Sequence, residues 1–148
     1  WAYGVGTQAA MVKDQMPFFV SAPVQADRTG DSIKALIADT QALLGPEPIT
    51  QEERERTINN QIRSLPGSFE TSSDLLGAIV RNATFGRPDD YYARLPERYR
   101  TMTAADLQQA LKTSIDPGRL IWVVVGDAKV VRPQLEGLGL PVEEQQAE

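Results

Sequence analysis

Leu120-Ile121-Trp122-Val123-Val124-Val125 is a six-residue run with no polar side chain, followed at once by Gly126-Asp127. Side chains alternate across a strand, so a strand apolar at every position buries both of its faces. The run therefore predicts a central strand rather than one at the rim of a sheet, ended by the Gly-Asp pair. It is also the longest unbroken apolar stretch in the chain. It falls far short of the ~20 residues a membrane-spanning helix needs, so no membrane insertion by this segment is expected.

The other end of the chain carries a second strand signal. From Trp1 to Met11 the odd positions Trp1, Tyr3, Val5, Thr7, Ala9 and Met11 make one largely apolar face, while Ala2, Gly4 and Gly6 leave the other bare. The chain opens inside this pattern, and residue 1 reads as a cut within a longer domain. Lys13-Asp14-Gln15 reads as a turn, after which Phe18, Val20, Ala22 and Val24 alternate with Phe19, Ser21, Pro23 and Gln25. Two such runs predict an antiparallel hairpin. Pro17 and Pro23 donate nothing to a ladder, which implies bulges or an outward-facing edge. An edge stripped of earlier strands would invite pairing between copies, so a homodimer through that edge is an expectation.

Between these strands the period becomes helical. Ile33, Leu36, Ile37, Thr40, Leu43 and Leu44 form a stripe stopped by Gly45-Pro46, and this helix is expected to pack on the hairpin. Thr50-Gln51-Glu52-Glu53 is a capping box opening a mostly solvated helix with Ile58, Ile62 and Leu65 inward, closed by Pro66-Gly67. A third helix is predicted over Phe69–Phe85, with Leu75, Leu76, Ile79, Val80 and Ala83 inward. A short one follows Asp89-Asp90, with a kink or restart at Pro96. Thr103-Ala104-Ala105-Asp106 opens a fifth helix that buries Leu107, Ala110 and Leu111. A last helix lies within Lys129–Leu138, Pro141-Val142 begins a final strand, and residues 143–148 form a frayed tail. Strands, then helices, then a strand make an α+β chain. The expected architecture is a mostly antiparallel sheet with several helices on one face, forming a single partial domain over residues 1–148.

Composition removes whole classes of chemistry. A net charge of −5 offers no field for phosphate backbones, so nucleic acid is not an expected partner. The sequence contains neither histidine nor cysteine. That excludes a Ser-His-Asp triad, a Cys-His pair and a histidine base within the chain, and takes away the preferred ligands of zinc. No catalytic, metal-ligating or cofactor-binding residue is assigned. Without cysteine the redox compartment is unreadable, and the localisation stays open, the bacterial periplasm or cell envelope among the alternatives.

The remaining candidates each have a plainer reading. Gly4-Val5-Gly6 lacks the third glycine and the following helix of a phosphate loop. Glu52, Glu53 and Glu55 lie outside any calcium-loop pattern and suit the first turn of a helix. Tyr91, Tyr92 and Tyr99 interleaved with Arg94, Arg98 and Arg100 resemble a single-strand-binding surface. In an acidic chain they read better as rings packed inward with arginines paired to carboxylates. Trp122 reads as core, and Tyr3, from spacing alone, as strand packing.

Four stretches in order nonetheless resemble the pitrilysin/insulinase family of zinc metallopeptidases, and within it the second, non-catalytic homologous half. Trp1-Ala2-Tyr3-Gly4-Val5 is similar to the strand that follows the family's RxxxG segment, and Ile49-Thr50-Gln51-Glu52-Glu53 to its ITxEE helix start. Met102-Thr103-Ala104-Ala105-Asp106-Leu107-Gln108 is similar to its vTaxDlq box, and Ile121–Asp127 to its closing vvvvGd strand. The resemblance implies zinc in a separate catalytic half carrying H-x-x-E-H, none of which is present here. That half would be supplied by the same chain or another subunit, with peptides or unfolded polypeptides enclosed between the two. It also implies a substrate-binding Arg and Tyr seven positions apart, which reach toward the metal from across the chamber. Tyr3 matches the tyrosine, and the arginine would precede residue 1. The alternative implied by the same family is a structural or assembly subunit without protease activity.

Overall fold

In a computed structural model, which describes residues 1–145, the change of periodicity near residue 28 marks the passage from strand to helix. β1 (Gly6–Ala9) and β2 (Phe18–Ser21) form a two-stranded antiparallel sheet with Gly6 opposite Ser21 and Ala9 opposite Phe18. Asp14, at φ 65°, supplies the left-handed residue of the turn, a conformation aspartate tolerates. Pairing continues to Ala2 opposite Val24, one residue out of step with β1–β2. Gly4, at φ 152°, lies within the slip, where a side chain would be strained. The irregularity thus sits at this glycine. The prolines keep their carbonyls in the ladder, Pro17 accepting from the Ala10 N–H and Pro23 from the Tyr3 N–H.

Six α-helices follow among the described residues: α1 (Thr29–Leu44), α2 (Gln51–Ser64), α3 (Ser72–Thr84), α4 (Tyr91–Thr101), α5 (Ala104–Ser114) and α6 (Ala128–Glu136). Helices with a small antiparallel sheet make the chain α+β. Its residues gather into two compact units, one of residues 1–45 and 116–145, the other of residues 46–115.

In the first unit α1 packs chiefly on α6, burying Ile33 and Val131. Gln134 joins the two helices. Its Oε1 accepts from the Gly30 N–H at 3.1 Å and its Nε2 donates to the Ala26 carbonyl at 2.8 Å, so an otherwise unpaired amide at the start of α1 is satisfied from 104 residues away. The hairpin reaches α1 through Trp1, whose indole N–H donates to Ser32 Oγ at 3.0 Å while the Arg28 guanidinium stands over its ring.

The second unit is organised by helix starts. Thr50 with Glu53, Thr71 with Asp74 and Thr103 with Asp106 each close a reciprocal capping box. Arg54 on α2 donates to the carbonyls of Met102 and Arg100 at 2.8 and 2.6 Å, holding the α4–α5 junction. The buried Gln108 side chain accepts from the Ile49 N–H at 3.0 Å, tying α5 to the segment that leads into α2. Ile58, Ala78 and Leu95 are the buried apolar side chains here. α4 runs unbroken through Pro96. A proline there frees only the Tyr92 carbonyl, in the first turn, while Leu95 beside it is buried.

Three expectations about burial are corrected, the smallest being that on α5 Ala110 is exposed while Leu107 and Leu111 are half-buried. Leu120–Val125 is extended but pairs with no strand among the described residues. Trp122 and Val124 are half-buried, and Ile121, Val123 and Val125 are 89%, 84% and 95% exposed. The half-buried side of the run lies toward α1, and nothing described covers the other. On α3, Leu75, Leu76, Ile79 and Val80 face outward, and Ala83 is exposed with them. The helix lies against the turn at Pro66–Phe69, with Ala78 buried and Gly77 half-buried. Pro141 and Val142 are not in a strand. Of the tail, residues 146–148 lie outside the described residues.

Gly30 has no room for a methyl group. A Cβ there would stand 3.0 Å from Gln134 Cβ and 3.2 Å from the Gln134 carbonyl oxygen. Gly30→Ala should therefore destabilise the first unit by about 1–3 kcal/mol, read as a lower urea midpoint at unchanged slope. A second expectation concerns acid. Glu53 and Asp106 are held below the usual carboxylate range, first by the backbone N–H and then by the hydroxyl of the threonine each caps. A carboxyl lowered on folding contributes stability above its unfolded pKa and loses it as the pH falls through the folded value. Helix content by circular dichroism should hold above about pH 5 and fall below about pH 4, with a shallower fall in Thr103→Ala.

Candidate functional site

Tyr3 is the side chain singled out in the sequence as a substrate contact. Its backbone is fixed, the N–H donating to the Pro23 carbonyl at 2.9 Å in the hairpin extension. Its side chain is not. The residue is 78% exposed, and the phenol makes no hydrogen bond to any described residue. The hairpin therefore presents an exposed phenol, able to donate one hydrogen bond, that no described residue occupies.

Tyr3 stands at the edge of a groove of about 400 Å³ within the first unit. One wall is the stretch from Val20 to Val24, the other the stretch from Trp122 to Gly126, and Ile33 and Leu36 of α1 with Val131 of α6 line it between them. No Asp, Glu, Lys or Arg contributes to the lining. On the far side of the Leu120–Val124 run a second hollow of about 330 Å³ separates it from Leu140–Glu143. Both flanks of the run thus border open space rather than a paired strand.

The aromatic and arginine constellation of α4 is a packing cluster. Tyr92 meets Phe69 edge-on at 5.1 Å and Tyr91 at 5.2 Å, and its hydroxyl accepts from Arg81 Nε at 3.2 Å. Arg87 lies over the Tyr91 ring at 4.3 Å. Arg94 pairs with Asp90 one turn earlier. Rings engaged with one another in this way leave few free faces for stacked bases. Glu53 is committed to its capping box, and Glu55 accepts from Gln51 Nε2 at 2.7 Å. Among the described residues no three acidic side chains converge to hold a metal ion, and with neither His nor Cys in the sequence the donor set does not fit zinc. Arg132 bridges Glu136 and Glu144 at 2.9 and 2.8 Å, which raises its already high pKa, and so holds Glu144 near α6.

The groove was not legible in the sequence. Both of its walls read as strands, and only their tertiary placement shows that they do not pair with each other. The Gln134–Gly30 and Arg54–Met102 bonds were likewise invisible, since neither residue belongs to a local motif. No protein-family model matches this chain, and a comparison with curated proteins found no match.

Because the Tyr3 hydroxyl has no partner among the described residues, Tyr3→Phe should leave the stability of the chain, read from urea unfolding, within about 0.5 kcal/mol of its original value. A larger loss would place the hydroxyl in the packing of the hairpin.

Proposed function

We propose that the chain is the non-catalytic C-terminal part of a zinc metalloendopeptidase of the pitrilysin/insulinase kind. In this reading it closes the proteolytic chamber against a zinc-bearing half and contributes to peptide binding. The metal then belongs to that other half, in keeping with a sequence that has neither histidine nor cysteine. The carrying observation is the order and setting of the four resembling stretches. The first lies in the hairpin with Tyr3 exposed, the second and third open α2 and α5 through capping boxes, and the fourth is the extended Ile121–Asp127 segment, whose Asp127 caps α6.

The uncovered apolar surfaces favour the same reading. Ile121, Val123 and Val125 in one unit, and Leu75, Leu76, Ile79 and Val80 in the other, are faces of the kind that further protein covers. Tyr3 is then the one residue with a chemical role. Its O–H donates to a carbonyl oxygen of a bound peptide, steadying the negative charge that builds there during hydrolysis.

The isolated chain should bind no stoichiometric zinc and cleave no peptide. One tightly held zinc per chain, by mass spectrometry of the native protein, removes the reading. Joined to its zinc-bearing half, Tyr3→Phe should lower kcat/KM on a fluorogenic peptide by up to ~10²-fold, the scale for loss of one preorganised donor. Circular dichroism should be unchanged. Equal kinetics would return Tyr3 to a packing role.

A further inference from the structure

The geometry points to the groove between Val20–Val24 and Trp122–Gly126 as a strand-acceptor site, which takes an extended, uncharged polypeptide segment with apolar residues at alternate positions. This inference is independent of the zinc-peptidase reading.

Three observations fix the occupant. The first is hydrogen bonding. The described sheet contains only β1 and β2, so the edge of β2 away from β1 has no ladder. Opposite it, no backbone hydrogen bond joins Ile121–Val125 to another described residue. An extended wall with unpaired N–H and C=O groups is matched by a further extended chain, which can bond to it, whereas a helix satisfies its own backbone groups.

The second is charge. In a chain with 24% charged residues, the groove lining has none. A charged side chain aimed into it would lose its water and gain no partner, so the positions facing α1 must be uncharged. The floor supplied by Ile33, Leu36 and Val131 makes apolar side chains the fitting ones at every second position. The third is length. The Val20–Val24 wall is matched by a strand of five residues, about 17 Å at the rise of a β-strand.

A second copy of this chain is the less suitable occupant. Its own uncharged extended run, Leu120–Val125, is already held on one side, where Trp122 and Val124 are half-buried toward α1. To enter another molecule's groove it would have to leave that site.

The test uses the 148-residue chain and the synthetic peptide acetyl-Gln-Val-Thr-Val-Thr-Val-Gln-amide carrying a C-terminal dye, followed by fluorescence anisotropy. Saturable binding is expected. Methylating the backbone nitrogens on one edge of the peptide should weaken it at least tenfold, as should replacing its three valines by lysine. In the protein, Val123→Pro removes an N–H that has no partner among the described residues, and should weaken binding at least tenfold with an unchanged melting curve. If that substitution disturbs folding, the methylated peptide gives the same comparison on the unaltered protein. Absence of saturable binding to the folded chain overturns the proposal, as does equal binding of the methylated peptide. A dimer in sedimentation that Val123→Pro dissociates, with no peptide bound, also overturns it and assigns the groove to a second copy.

Discussion

A polypeptide backbone removed from water must find partners for its N–H and C=O groups, and an apolar side chain must find cover. The Leu120–Val125 run makes both demands at once, and the chain meets only part of each. Trp122 and Val124 turn toward α1, while Ile121, Val123 and Val125 face out and the backbone between them is unpaired among the described residues. Much else in the first unit follows from this. The groove exists because the run does not pair with the hairpin, and Tyr3 stands at the groove's edge because the hairpin forms its opposite wall.

What anchors the run is the helix pair beneath it. α1 and α6 are fastened at one point by Gln134, which spends both ends of its amide on the start of α1 and its approach, and Gly30 permits the close approach this requires. Asp127 caps α6 by accepting from the Lys129 N–H at 2.9 Å, so the extended run passes directly into a well-formed helix start. The lower end of the run is therefore fixed in place even though its flanks are open. An acceptor for another chain benefits from such an arrangement, because a wall already held extended loses little freedom when a strand is added.

The features legible in the sequence are those decided within a few residues. Thr50–Glu53 and Thr103–Asp106 form the boxes their spacing predicts, Gly45-Pro46 ends α1, and Asp14 makes the hairpin turn. The Thr71–Asp74 box has the same T-x-x-acid spacing, but the apolar signal of Phe69 pulled the predicted helix start three residues too early. Burial was less legible because it depends on partners distant in sequence. The pattern of α3 correctly marks Leu75, Leu76, Ile79 and Val80 as one apolar face, yet periodicity says only that a face is apolar and not what lies against it. The same gap separates the double-sided run at Leu120–Val125 from the paired central strand it was read as. For the candidate site, Tyr3 stands out only through the resemblance of its stretch, and the uncharged groove beside it was not legible at all.

The distribution of charge argues that the open surfaces are made to be covered. Several of the chain's carboxylates and guanidiniums serve helix starts, one-turn pairs such as Arg94–Asp90 and Arg132–Glu136, and the Arg54 contacts to carbonyls. A strand edge meant to remain in water is commonly protected by a lysine, an inward-pointing charge or a proline. β2 from Phe18 to Ser21 and the run from Leu120 to Val125 contain none of these. The only proline in the groove's hairpin wall, Pro23, offers its carbonyl to Tyr3, on the edge that faces β1's extension rather than the groove. Two short edges without protection, bordering an uncharged hollow, are what a sheet presents when a further strand belongs between them.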